Sequence, residues 1–424
     1  MDRTNSFNHY KLNNSCDLHI FNNNKFKTNL IQMVIIEKLD AGTVSANALL
    51  PYVVYRGSNK YPTTRNFKIR LNELYGAELS ISVLKRGENQ LLIFSLELPN
   101  ENFLPDQTPL FREGLKLLYE LVLNPAMKEE YIEQEKDNLQ RKIDALINDK
   151  YSYAVERCYQ EMCTNETYGL YKLGKKEDLE VITREQLLKR YNSIINNSVI
   201  LFFVVGDVED NRVLSDINTV FDFKHKQSNE INKTELISRV SDVKEIKDKM
   251  KVKQGKLIMG FRTGITRGSK SYYPLIVYNG ILGAFPHSKL FQNVRERSSL
   301  AYFANSGLET TKGLLLISSG INFNVYQKAR EIILQQVEEI KKGNFTAQEL
   351  HWAKMSLHNR FKNIADRIDG LAGHYLLGLI NNNPESIDKS LDSISAVKRE
   401  DVINIAKQIK LDTIYFLDRQ EGER

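Results

Sequence analysis

Cysteine is scarce in this chain: Cys16, Cys158 and Cys163 are the three in 424 residues. An odd count without a C-x-x-C pair argues against a disulfide framework and for reduced thiols. Long apolar runs are missing as well. No window approaches eighteen consecutive apolar residues, so no transmembrane helix is expected. The N-terminal stretch MDRTNSFNHYKLNNSCDLHIF has neither the apolar core of a secretory signal nor the Arg/Ser pattern of a transit peptide, and a cytoplasmic location is expected. Charge of one sign does not accumulate. The 59 basic residues face 53 acidic ones, and no dense Lys/Arg block carries interleaved aromatics, so no nucleic-acid partner is indicated.

Familiar catalytic motifs are absent too. There is no G-x-S-x-G elbow, no G-x-x-x-x-G-K-[ST] and no strand-to-helix G-x-G-x-x-G. None of the seven histidines stands in H-E-x-x-H or H-x-x-E-H, the spacings that put two imidazoles on one helical face. His351 and His358 can share a helix face, but no carboxylate or thiol joins them at ligand spacing. Gly280 and Gly283 suggest a phosphate loop only superficially. No Lys-Ser/Thr follows, and Pro286 removes a backbone donor, so the stretch Gly280–Ser288 reads as an irregular loop after a helix.

What the chain does contain is enough apolar material, 42% of its residues, for sizeable cores in two domains. Its periodicity switches between two and about 3.6. Strands are expected over Phe26–Glu37, Leu91–Leu98, Lys256–Phe261 and Gly313–Ser318. A helix is expected over Leu110–Leu123, where Phe111, Leu115, Leu118 and Val122 form one stripe that stops at Asn124-Pro125. Helix pairs are expected around Lys128–Lys150 and Ala347–Asn363. A slow repeat runs through the chain. The segment Val181–Leu187, leading to the apolar strand Val199–Val205, recurs 215 residues later as Ala396–Val402, leading to Thr413–Leu417. A weaker pair, Tyr131–Ile143 and Glu349–Phe361, has a similar offset, and two matches at one offset argue for duplicated halves. The expected fold is α+β: two homologous half-domains, each a mainly antiparallel sheet packed against helices. The first would span 1–223 and the second 251–424. The polar stretch 224–250 between them reads as a linker, and Lys244–Lys256 as a solvated connector.

The most informative stretch is LFQNVRERSSLAY, Leu290 to Tyr302. Arg295 offers a planar fork of donors and Tyr302 one more, a pair suited to gripping a carbonyl or carboxylate. On spacing alone the plainer reading prevails, with Arg295 a solvated helix charge and Tyr302 the start of a core strand. The whole stretch, however, resembles the second-half signature of the pitrilysin/insulinase-type metallopeptidases, including the mitochondrial processing peptidases. Ser288, Leu290, Phe291, Val294, Arg295, Glu296, Leu300, Ala301 and Tyr302 all fall in register with it. In that family the Arg and Tyr hold substrate across a chamber from zinc. The resemblance implies that role for Arg295 and Tyr302, with Gly283 and Ser288 also on the substrate side.

The first half departs from the pattern. Tyr55-Arg56-Gly57-Ser58 resembles the landmark that follows H-x-x-E-H in active members, which places Ala48-Leu49-Leu50-Pro51-Tyr52 at the motif. Ala48 and Tyr52 stand where the histidines would be, and Pro51 where the general-base glutamate would be. The third ligand position, in a segment resembling E-R-x-x-x-x-x-E, holds Lys142. Zinc needs converging deprotonated N, O or S donors, so no metal is expected in this chain. The resemblance implies a non-catalytic subunit of a heterodimer, closest to a paired type in Gram-positive bacteria labelled as associated with 5-aminopentanol modification of elongation factor P. The zinc would then lie in a paralogous partner with an intact H-x-x-E-H motif, and the substrate would be a peptide. It also implies that Ala77, Glu78, Leu79, Ser80 and Ile81 form an edge strand to which substrate adds. A peptide-binding or scaffold protein without proteolysis is the alternative.

Overall fold

The computed structural model describes residues 6–12, 16–105, 108–221 and 230–420. One sheet is built from β1 (Asn8–Lys11), β2 (Asp17–Asn22), β3 (Thr28–Lys38), β4 (Glu78–Arg86), β5 (Asn89–Pro99) and β6 (Val199–Gly206). The other holds β7 (Lys244–Met250), β8 (Gly255–Arg262), β9 (Ala301–Glu309), β10 (Leu314–Ile321) and β11 (Lys410–Arg419). The first eight α-helices are α1 (Val44–Val54), α2 (Thr64–Glu73), α3 (Leu110–Leu123), α4 (Glu129–Asn148), α5 (Lys150–Met162), α6 (Lys176–Val181), α7 (Arg184–Asn197) and α8 (Asp210–Val220). Six more follow: α9 (Tyr272–Asn279), α10 (Tyr326–Lys341), α11 (Ala347–Ala365), α12 (Ile368–Ile380), α13 (Ile387–Ala396) and α14 (Arg399–Gln408). Among the described residues no helix is long and apolar enough to cross a membrane.

The two sheets have one topology. Their strand orders are β1-β2-β6-β3-β5-β4 and β7-β11-β8-β10-β9. Without β1 they superimpose as schemes: a parallel pair (β2 with β6, β7 with β11), then antiparallel neighbours out to an edge. This is the α+β duplication read from the 215-residue repeat. The repeat has a local cause at each helix start. Thr183 and Gln186 close a capping box on α7, and Asp401 accepts from the Lys398 backbone at the start of α14. Each helix then feeds an apolar strand, β6 or β11, buried along most of its length because both sheet faces are covered.

Two compact units result, but the halves of the sequence do not map onto them cleanly. One comprises Met1–Ile143, Leu170–Lys233 and Ala365–Leu377; the other Asp144–Gly169, Thr234–Ile364 and Gly378–Arg424. Helix α5, from the first half of the chain, therefore belongs to the second unit, and most of α12 to the first. In the second unit α5 lays Ala154 and Cys158 on Ile258, Leu316, Tyr415 and Leu417. The approach is close enough that a Cβ on Gly260 would come within 2.8 Å of the Met162 sulfur. In the first unit Tyr375 of α12 lies edge-on to His19 of β2 and Phe203 of β6, with ring centroids 5.3 and 6.5 Å apart.

Two expectations change. Lys244–Met250 is no connector: it is β7, an edge strand whose residues alternate between exposed and half-buried. An edge strand with one wet face tolerates that charge pattern, and Lys247 and Asp248 find partners in Asp418 and Arg157. The expected 224–250 linker thus shrinks; 224–229 lie outside the described residues. In the second unit, Arg262 of β8 is buried between Glu166 (2.6 Å) and Asp412 (3.0 Å), and Lys312 joins Glu166 at 2.8 Å. This closed set of charges ties the turn after α5 to the sheet.

Candidate functional site

In the second unit, α9 does not break into an irregular loop. It continues as a wider π-helical turn, Gly280–Ala284. Gly283 is buried against β9, where an added Cβ would lie 2.6 Å from the Ser306 hydroxyl and 2.7 Å from its backbone nitrogen. Ser288 is also buried, and its carbonyl accepts from the Gln292 backbone as the next turn begins. These two residues build the support; neither faces solvent. The chain then forms a second π-helical turn, Phe291–Arg297, held by the fully buried Leu290 and Val294. Ser299 takes a positive φ of 50°, Leu300 bonds back to the Val294 carbonyl, and β9 starts. The apolar positions of the motif are thus anchors, and they hold Arg295 and Tyr302 outward.

Tyr302 is 64% exposed, on an edge strand. The strand was legible in the sequence, but the tyrosine is not a core residue. Its hydroxyl has no hydrogen-bond partner among the described residues. Arg295 has its guanidinium 4.6 Å over the Phe291 ring, and its nearest carboxylate is the adjacent Glu296, 3.6 Å away. Both groups keep their donors available to something outside this unit.

The first unit treats its matching positions in the opposite way. On α1, Ala48 is fully buried in the core, Pro51 is buried inside the helix, and Tyr52 is half-buried. Lys142 of α4 places its ammonium 3.6 Å from the centre of the Tyr52 ring. The two positions that would carry the second histidine and the glutamate ligand therefore meet in space, as an aromatic and a cation. Burial, and next the nearby Glu135, raise the Tyr52 pKa, so the phenol keeps its proton. Burial lowers that of Lys142, with Glu135 opposing. A methyl, an imino ring, a neutral phenol and an ammonium do not fit zinc. Among the described residues no group of three His, Cys, Asp or Glu is placed to hold a metal. Glu135 had no role in the sequence reading. It is buried, bonded to Arg56 at 2.5 Å and to Asn138 at 3.0 Å. Its place in Glu135–Lys142, against E-R-x-x-x-x-x-E, was the available signal.

The stretch Ala77–Ile81 enters β4, which is the edge of the first sheet. Ala77 is buried, Glu78 and Ser80 are exposed, and Leu79 and Ile81 are half-buried. The strand pairs with β5 on one side, leaving backbone donors and acceptors of the other side unpaired within the sheet.

Fold and site together define a duplicated α+β peptidase-type protein whose metal positions are refilled by non-ligands. Comparison with known proteins agrees. Residues 182–357 match the family described as the peptidase M16 inactive domain. The chain is 39% identical over 409 residues to the "Probable inactive metalloprotease YmfF" of Bacillus subtilis (strain 168), covering 95% of this chain and 96% of that one. It is 23% identical over 304 residues to the "Uncharacterized zinc protease YmxG" of the same strain, covering 70% and 72%. A crystal structure of a conserved protein from Enterococcus faecalis V583 superimposes with a TM-score of 0.91 at 25% identity, over 99% of this chain and all of that one. This chain belongs to the M16 peptidase family.

Proposed function

We propose that this protein is the accessory subunit of a heterodimeric M16-type peptidase, of the paired kind that carries the elongation factor P modification label. A zinc-bearing paralogue with an intact H-x-x-E-H motif supplies metal and base, and this chain supplies Arg295 and Tyr302. The observation that carries the reading is the asymmetry between the two sites. The ligand positions are filled by Ala48, Pro51 and the Tyr52–Lys142 pair, while Arg295 and Tyr302 are exposed with their donors uncommitted. In the assembled site Arg295 donates to the substrate backbone or terminal carboxylate. Tyr302 donates to the scissile carbonyl as negative charge develops there. The free edge of β4 offers main-chain pairing that tolerates varied side chains, which suits a peptide substrate. Three buried cysteines, an odd number, fit a reducing cytoplasmic location.

The test is reconstitution. Each of Arg295→Ala and Tyr302→Phe is assembled with the zinc-bearing relative, the complex is confirmed by sizing, and peptide turnover is measured. A loss of roughly a hundred- to a thousandfold is expected for each. Near-normal turnover from both folded variants would sink the shared site. The alternative, a peptide-binding scaffold without proteolysis, draws on the β4 edge alone; it predicts peptide binding by this chain with no dependence on Arg295 or Tyr302.

A further inference from the structure

The turn that carries Arg295 has a second face. Its Arg297 side chain donates to Asn293 at 3.1 Å, one turn back, whereas Arg295 lies with Phe291. The Asn293–Arg297 side borders an open cavity of about 810 Å³ in the second unit. The opposite wall is the turn between α10 and α11, the first part of α11, and Arg399 at the start of α14. Charged groups on its walls are three cations, Lys289, Arg297 and Arg399, against one carboxylate, Glu349.

The rim of this cavity is aromatic. His287 stacks on Phe285 at 5.7 Å and meets Trp352 of α11 at 5.8 Å. Trp352, the single tryptophan of the chain, is 46% exposed, and Met355, one helical turn further, is 47% exposed. Side chains three apart on a helix are neighbours, so the two form one apolar step beside the basic walls. An exposed Trp and Met next to arginines is the composition of a protein-binding hot spot, and folding alone does not account for it.

The cations are not arranged as a phosphate cradle. Arg399 already gives its two terminal nitrogens to the carbonyls of Phe345 and Gly343, and Lys289 shares its charge with Glu349 at 3.2 Å. Lys289 and Arg297 come from one stretch of chain and Arg399 from the start of α14, so the positive charge is divided between two walls of the cavity. Such a diffuse positive field beside an apolar step complements a polypeptide with spaced carboxylates and an aliphatic anchor. We propose that this face of the second unit is a docking surface for an acidic segment of a protein partner, with Trp352 and Met355 receiving an apolar side chain and Arg297 facing its carboxylates, within the positive field to which Lys289 and Arg399 add.

Trp352 is a built-in reporter. The full-length chain, without any zinc-bearing subunit, is titrated with a twelve-residue peptide of repeating Glu-Glu-Leu while tryptophan emission is followed. A saturable blue shift is expected as the indole loses water. A labelled peptide read by anisotropy should bind Arg297→Glu and Trp352→Ala about tenfold or more weakly, with melting unchanged. Salt at about 0.5 M should weaken binding to the parent chain, because exposed charges are screened. Inorganic triphosphate, a single-stranded oligonucleotide and a Glu-only peptide are the controls. Equal or tighter binding of any control overturns the proposal in favour of a simple anion or nucleic-acid site. So does the absence of a saturable shift, or unchanged affinity in both folded variants.

Discussion

The first and second units have sheets of the same topology, yet they treat the positions read as functional in opposite ways. On α1 the chemistry has been absorbed into the fold: Ala48 is part of the core, Pro51 is buried, and Tyr52 is covered by Lys142. At the turn before β9 the chemistry has been kept out of it. Leu290 and Val294 do the packing, and Tyr302 stands 64% exposed beyond them. An exposed tyrosine with an unbonded hydroxyl contributes little to folding, so stability does not account for it. The contrast teaches where to look for function in this chain: at residues the fold does not use.

The sharpest break of this contrast is between rate and stability. Arg295→Ala and Tyr302→Phe should each cost about 2.7–4 kcal/mol of transition-state stabilisation in the reconstituted pair. Their effect on the melting of the isolated chain should stay within about 0.5 kcal/mol. Calorimetry beside turnover checks both numbers, and a large loss of stability without loss of rate would reverse the assignment.

The second comparison sets β2 against its counterpart β7. Strand β2 is an inner strand because β1 covers it, and His19 is buried there; β7 is an edge and carries its charges in water. Burial, and next the charge of His9, push the His19 pKa down from 6.5 to about 4, although Asp17 works the other way. The unfolded chain takes up this proton near 6.5 and the folded chain only near 4. The contribution of neutral His19 is thus complete above pH 6.5 and is lost as pH falls through 4. A shift of that size corresponds to about 3 kcal/mol. Urea titrations at pH 7 and pH 4 should show the loss in the parent chain, and His19→Phe should remove most of it. Equal acid sensitivity in the variant would place the effect elsewhere.

Ala48→His tests whether α1 is a packed core or a dormant site. A larger polar ring in a fully buried position should destabilise by about 1–3 kcal/mol, and zinc retention by the variant should stay at background in metal analysis. Tight stoichiometric zinc would show that the site is dormant. The smallest effect is expected at Lys142→Met, which removes the cation over Tyr52. A loss of about 0.5–1 kcal/mol is expected, measured by thermal melting.

Much of the fold was legible in the residues. The stripe Phe111, Leu115, Leu118 and Val122 gives α3, and Asn124-Pro125 ends it, because proline lacks the donor that would continue the helix. The recurrence of a capped helix followed by an apolar strand marks both α7–β6 and α14–β11. That Tyr52 and Lys142, ninety residues apart in sequence, meet at 3.6 Å is a fact of the folded chain. Strand β7 was hidden because a solvated edge strand and a solvated linker have the same charge pattern. The π-helical turns were hidden because a wider helix turn leaves no simple apolar period, and the first of them runs so close to β9 that Gly283 has no room for a Cβ beside Ser306.

By itself the sequence determined the duplication and the periodicity of each element. These are properties of which side chains occur and how they are spaced, and no folding is needed to read them. Tertiary structure decided that α5 completes the second unit and most of α12 the first, that Tyr302 faces water, and that Trp352 borders a basic cavity. An amphipathic helix states only that one face must be buried. Which sheet buries it, and which side chain of an edge strand is left outside, depend on close approaches such as that of Met162 to Gly260, and those exist only once distant segments have packed.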